Sequence, residues 1–207
     1  MTSVCYFCPG RFRGKFWFDD RAAQLVEFAV ALPLLVVFVV GIFDFSNAFT
    51  LKLRLTNVAE EAAHASAIDP FTDVAPGATP VSVVDVFQIV DYYLVNNNVN
   101  DCGLSSHPNP TSSGLTWTFT ATGNSCPSAG LKLIVNRGYY LPVNSTTVAN
   151  ANCQSQTPGA GQTAVIATCI SIWYPYAWQF GKVASLLGSN NVLPAQFTVI
   201  AVALNTD

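Results

Sequence analysis

Polar positions almost vanish near the start of the chain. From 28 to 43 no side chain is charged or strongly polar, and with Leu25 and Val26 the run reaches the ~17 to 20 residues that cross a bilayer as a helix. One acid, Glu27, stands near its start. An unpaired ionisable group in such a segment costs roughly 2.5 to 3.5 kcal/mol or more, so Glu27 needs a partner, to be sought outside its own helix. Beyond Phe45 the pattern becomes periodic. Ala48, Leu51, Leu55, Val58, Ala62 and Ala65 recur at spacings of 3 or 4, a stripe on one helical face, while Lys52, Arg54, Glu60 and Glu61 fall off it. Asp69 before Pro70 ends the pattern, because the residue before proline avoids helical angles. The prediction is one helix over 23–68, ~69 Å long at ~1.5 Å per residue, half in lipid and half packed under a head. Ala59, Ala62, Ala63, Ala65 and Ser66 let a sheet approach it closely, although helix propensity explains them nearly as well.

After the loop "DPFTDVAPGAT", Thr79 and Pro80 read as an N-cap and a first helical position. The following "VSVVDVFQIVDYYLV" places Ser82, Asp85, Gln88 and Asp91 three residues apart, one polar edge on a helix lying against a core. Turn formers make "NNNVNDCGLSSHPNPTSSG" a loop. Strand signals follow in "LTWTFTA", with Trp117 and Phe119 on one face, a short "LKLIVN", a long "AVIATCISIWYPY" and a closing "AQFTVIAVALN". A short helix is expected in "AWQFGKVASLLG" between the last two. This order predicts an α+β fold: a long N-terminal helix, membrane half plus amphipathic half, packed on a mostly antiparallel sheet in a pilin-like head.

Composition fits an apolar stalk with a folded head. Of 207 residues 51% are hydrophobic and 10% charged, the mean hydropathy is +0.37, and the stretch 45–207 is long enough for one core. Net charge −3 and pI ≈ 5.2, with only Lys52, Arg54, Lys132, Arg137 and Lys182 basic after the apolar run, argue against a nucleic-acid surface. Before the run, Arg11, Arg13, Lys15 and Arg21 outnumber Asp19 and Asp20. The positive-inside rule then keeps 1–22 cytoplasmic as a leader, makes 23–44 the transmembrane helix and exports 45–207. The run is longer than a secretory signal core, and its border "GIFDFSNAF" offers no A-x-A-like cleavage site.

Candidate chemistry is sparse. Cys5 and Cys8 lie in the leader, with no second pair or histidine near them to complete a metal or redox site. Cys102, Cys126, Cys153 and Cys169 form an even exported set, suited to two disulfides in an oxidising compartment. Four cysteines allow three pairings; Cys102 with Cys126 and Cys153 with Cys169 is favoured, since each pair closes a short loop around a predicted strand edge. His64 reads as a helix-surface residue, and His107 would need an acid and an oxyanion hole that nothing in the sequence supplies. No phosphate loop, metal motif or cofactor site is evident, so an enzyme is not expected. "NST" at Asn144 matches a glycosylation acceptor that arises often by chance. "WYPYAW", from Trp173 to Trp178, reads as a strand-end core cluster before it reads as a sugar or partner site.

The stretch "AAQLVEFAVALPLLV" resembles the TadE-like family of tight-adherence pilus components, with its type IV prepilin-like order of small residues, acid, aromatic and long apolar helix. The likeness runs from Ala22 to about Ala67 through Glu27, Phe28, Pro33 and Gly41; "TCISIWYPY" and "LPAQFTVIAVALNTD" look like the family's closing strand, turn and strand, and roughly 70–160 carries no matching motif. The resemblance implies a minor pilin-like pseudopilin, a structural subunit that acts in pilus assembly and adhesion from the inner membrane. It implies other pilin-like subunits, the pilus assembly platform, a prepilin peptidase and the lipid bilayer as partners, and no cofactor. Glu27 and Phe28 are its assembly residues, and Glu27 would be neutralised by a neighbour's freed N-terminal amine. The alternative is a membrane-anchored exported binding protein or adhesin that does not polymerise.

Counting back from Glu27 as fifth residue places peptidase cleavage between Ala22 and Ala23. Ala22 departs from the family's usual Gly; Gly14 would instead make Asp19 the fifth residue, but Lys15, Asp20 and Arg21 then interrupt the helix. The native membrane protein is therefore expected to begin at Ala23, to be left uncut by Ala22→Leu and to be cut normally or faster in Ala22→Gly. Mass spectrometry of the N-terminus checks this, and an intact Met1 or Thr2 terminus contradicts it.

Overall fold

In the computed structural model the described residues are 20–70, 72, 78–127, 130–142, 149–155, 163–179, 181 and 194–206, with side chains in the first helix described from Gln24 onward. The leader with Cys5 and Cys8, Asn144 and most of the expected helix at 177–188 lie outside them. The elements are α1 (Asp20–Ile68), α2 (Val81–Asn96), a 3-10 turn (Leu104–Ser106), and strands β1 (Thr111–Ser113), β2 (Thr116–Ala121), β3 (Leu131–Pro142), β4 (Ala164–Pro175) and β5 (Gln196–Leu204). The chain is thus the expected α+β arrangement of a long N-terminal helix on an antiparallel sheet.

α1 is a single helix that runs through Pro33 without a break. Its upper half carries the seam with the head. Ala48, Leu55, Val58, Ala59, Ala62, Ala63 and Ala67 are buried and Leu51 packs against the same core, so the stripe at spacings of 3 and 4 is the contact face. Its last predicted member, Ala65, is only half-buried, and Ser66 takes the buried position beside it.

The sheet is an antiparallel meander in chain order, β1-β2-β3-β4-β5. Alternation sends Trp117 and Phe119 of β2, Leu131, Leu133 and Val135 of β3, Ile170, Ile172 and Tyr174 of β4 and Val199, Ala201 and Ala203 of β5 to the helix side. α2 completes that layer, with Phe87 and Phe119 ring centroids 4.9 Å apart. The other face has a smaller cluster, Ile134, Tyr139, Ala167 and Cys169 under Cys153 of the 149–155 loop. Ala151 O accepts from Ser171 Oγ at 2.6 Å and from Trp173 Nε1 at 3.0 Å, fixing that loop on β4. In the β2–β3 turn, Gly130 has φ +63°, and a Cβ there would lie 2.6 Å from Ala121 O, so only glycine closes the hairpin without displacing backbone.

Three expectations are corrected. β1 arises in "TSS", read as loop, because its backbone pairs with β2 without needing an apolar face. β3, expected to be short, has 12 residues, because a bulge between Asn136 and Tyr139 carries the ladder past Gly138 instead of ending it. Pro80 is the N-cap of α2 rather than its first helical residue: its ψ of 155° is extended, and its carbonyl accepts from Val83 and Val84 N–H. α2 lies against the core as expected, with Ser82 of its polar edge buried and Asp91 partly covered.

The bulge places Arg137, among the described residues the one fully buried arginine. Arg137 follows Leu133 and Val135 on the helix side, and the extra residue then turns Tyr139 to the opposite cluster. α1 has no basic residue in its own last turn. Arg137 supplies one from the sheet: Nη1 donates to Ser66 O, to Ser66 Oγ and to Thr168 Oγ1, and Nη2 donates to Asp69 O at 2.9 Å. The guanidinium thereby satisfies carbonyls that a helix C-terminus leaves without partners and meets its negative dipole end. Thr206 N donates to Ala67 O at 3.1 Å, so the end of the chain closes the same site. Arg137→Met is expected to destabilise the protein by about 2–4 kcal/mol, by stranding buried acceptors, with Arg137→Lys intermediate. Urea unfolding of the detergent-solubilised chain measures both.

Candidate functional site

The expected assembly residues lie on the part of α1 that the other described residues leave bare. Glu27 and Phe28 are exposed, Phe28 at 63%, and among the described residues Glu27 has no hydrogen-bond or ion-pair partner. The most apolar 18-residue window has a mean hydropathy of 2.7 and none of it is buried. One N-terminal helix is therefore long and apolar enough to span a membrane. Ala22 and Ala23 belong to the same helix backbone, but their side chains lie outside the described residues, so the structure does not bring them into relation with Glu27.

The head meets this segment at Asp44, the first buried residue of α1, which is 4% exposed. Tyr176, just past β4, donates through Oη to Asp44 Oδ1 at 2.9 Å and to Asp44 O at 3.2 Å. Burial, then the hydrogen bond with Asp44 and its charge, push the Tyr176 phenol up to about 12, so it remains a donor throughout the neutral range. Around this clasp the rings of Phe45 and Trp178 lie 5.2 Å apart, Tyr176 and Trp178 4.9 Å, and Tyr176 and Phe197 5.1 Å. The expected core cluster "WYPYAW" divides accordingly: Tyr174 is buried, whereas Trp178 is half-exposed.

The favoured cysteine pairing is the one formed. Cys102–Cys126 joins the loop after α2 to the β2–β3 turn, with Cα atoms 5.1 Å apart, and Cys153–Cys169 joins the outer loop to β4, at 5.6 Å. Sequence separations of 24 and 16 correspond to about 3 kcal/mol each by constraint of the unfolded chain.

Beside Cys102 lies a carboxylate pair. Burial raises Asp101, but hydrogen bonds from Gly103 N–H at 3.1 Å and Asn124 Nδ2 at 3.0 Å outweigh it and hold the carboxyl below its usual value. Burial first, then the charge of Asp101 and a side-chain hydrogen bond with it, raise Asp91. Tyr174, which donates to Asn100 O at 2.9 Å, is pushed up to about 12 by burial and by Asp101. Neither histidine is part of this cluster: His64 is exposed on α1, and the His107 ring Nδ1 lies 2.9 Å from Gly103 O. Among the described residues no group of three or more His, Cys, Asp or Glu is placed to hold a metal.

Sequence reasoning overlooked Asp44, Tyr176, Arg137 and the Asp91–Asp101 pair. Two signals were there. Asp44 stands one helical turn before Ala48, on the same stripe, and Arg137 is a lone cation in the strand-like "LKLIVNRGYY".

Residues 22–64 match the family model described as TadE-like protein. The TadE-like resemblance is shown over that segment, which holds Glu27 and Phe28; β4 and β5 lie beyond it. No curated protein and no solved structure matches the chain.

The carboxylate pair sets a pH dependence of opposite sign at its two members. Asp101, with a depressed folded-state pKa, contributes stability above its unfolded value, and this is lost as pH falls through the folded value. Asp91, with a raised pKa, opposes folding when charged, and protonation relieves this as pH falls through its folded value, above the ordinary 3.8. Asp91→Asn is expected to raise the urea midpoint at neutral pH, with a gain that shrinks as pH falls through the raised Asp91 pKa. A gain independent of pH contradicts the assignment.

Proposed function

We propose that this chain is a minor pilin-like subunit of a tight-adherence pilus, held in the cytoplasmic membrane by α1 with its head exported, and that it acts in pilus assembly and adhesion. Glu27 carries the reading. It is an exposed acid on an otherwise apolar stretch that the head does not cover, within the segment that matches TadE-like proteins. A plain anchor gains nothing from an acid there, because a charge in lipid opposes insertion. A neighbouring subunit's amine at Ala23, freed by a prepilin peptidase, would supply the missing opposite charge, and each ion would then offset the desolvation of the other. Its partners in this reading are pilus components that meet the bare face of α1, and its role is structural rather than catalytic.

A second reading rests on the head. Ser113, Thr116, Thr118, Lys132, Asn152 and Gln154 line an open polar cleft of about 440 Å³ beside the Cys153 loop. Such a surface suits an anchored binding protein that does not polymerise.

Glu27→Ala separates the two. The variant is expected to be processed and inserted at normal levels, since losing a charge eases insertion, while its crosslinks to pilus components fall to background. Parental crosslinking and adherence in Glu27→Ala would make the anchored binding protein the better account.

A further inference from the structure

The clasp around Asp44 has a surface of its own. Ile42 and Phe43 are 68% and 67% exposed at the top of the apolar run, and the exposed apolar series continues into the exported half with Phe45 at 54% and Phe49 at 65%. Trp178 lies against Phe45, half-exposed, with Phe197 beside it at 6.0 Å. We propose that this aromatic collar seats the head directly on the bilayer, with Phe45, Phe49 and Trp178 in the phospholipid headgroup layer of the outer leaflet. The inference rests on α1 spanning the membrane.

Three observations favour a lipid interface as the occupant. The first is continuity and depth. Counting ~20 residues down from Asp44 at ~1.5 Å each spans a hydrocarbon core of ~30 Å and reaches Leu25. Phe45 and Phe49 then stand ~1.5 and ~7.5 Å above Asp44, within or at the edge of a headgroup layer ~5–7 Å thick. The second is polar satisfaction. Trp178 Nε1 donates to Pro194 O at 2.7 Å and Tyr176 Oη to Asp44, so the rings can enter a half-apolar layer without leaving a donor unpaired. The third is the cover over Asp44. At 4% exposure under Tyr176, an acid at the membrane border is kept from the acyl chains by the head itself. Tryptophan and tyrosine gather at membrane–water interfaces, where one side of the ring is apolar and the other wet, and here Trp178 and Tyr176 stand among the apolar rings of Phe45 and Phe197.

The test uses full-length protein in phosphatidylethanolamine–phosphatidylglycerol nanodiscs containing lipids spin-labelled near the headgroup or near the acyl terminus. Of the four tryptophans, Trp17 is replaced by Phe throughout, and quenching is compared with and without Trp178→Phe. The expected result is a component quenched at least about twofold more by the shallow label than by the deep one, absent from Trp178→Phe, since interfacial rings sit at headgroup depth. A Trp178 component that neither label quenches, as a covering protein would produce, or one that the deep label quenches more, overturns the proposal. Leu35→Trp in the Trp17→Phe, Trp178→Phe background reports on the span alone: quenching there by the deep label, with Trp178 unquenched, removes the collar and leaves the membrane helix standing.

Discussion

Within one unbroken helix, the pattern of polar and buried positions changes at Asp44. Below it α1 is apolar on every side from Phe28 to Phe43 and the described residues of the head leave it bare; above it one face is buried from Ala48 to Ala67 while Lys52, Glu60 and Glu61 are exposed. The head has to cover the amphipathic half, and covering the lower half would take from it the surface that suits lipid. The change of pattern therefore fixes where the sheet sits along the helix. Small side chains decide how closely it sits. Ala59, Ala62 and Ala63 are buried to within 1% of exposure beside Leu55 and Val58, in the core where α1 packs on α2, β4 and β5. A larger residue at Ala62 would force the layers apart.

The two ends of that seam are held by polar contacts that apolar packing alone does not provide. At the lower end Tyr176 grips Asp44 through both its carboxylate and its carbonyl. At the upper end Arg137 reaches from β3 to the carbonyls of Ser66 and Asp69, and Thr206 closes on Ala67. Hydrophobic contact is non-directional and would tolerate sliding by a helical turn. Directional bonds at both ends do not, so α1 and the sheet are locked in one register.

What could be read in advance follows the length of each pattern. α1, α2, β2, β4 and β5 were legible because each carries enough residues for its period to be counted, and both cystines because short loops around strand edges made one pairing the natural one. β1 was not, since three small polar residues at a sheet edge show no alternation. The second half of β3 was not, because Arg137 and Gly138 look like a turn; only the ladder to Ala167 and Ile166 reveals them as a bulge. The Glu27 environment was legible as an oddity within one segment. The Asp44 clasp and the Asp91–Asp101 pair were not, for each joins residues from separate elements, and no local period records such a meeting.

The cystines divide the labour further. Cys102–Cys126 fastens the loop after α2 to the β2–β3 turn, next to the bonds from Asn100 Nδ2 to Asn124 O and from Gly123 N to Cys102 O. Cys153–Cys169 fastens a loop over the opposite face of the sheet, where Asn136 Nδ2 also donates to Cys153 O. With both faces cross-linked and the seam pinned at both ends, the head completes its own core. The lower half of α1 is the reverse case: Leu34, Leu35 and Phe38 are all more than 60% exposed, uncovered by the described residues of the head. Apolar area of that extent in a folded chain implies either lipid or another helix as its permanent neighbour. Lipid suffices for the leucines. Glu27 is the exception on that surface, because an acid set in lipid without an opposite charge opposes insertion.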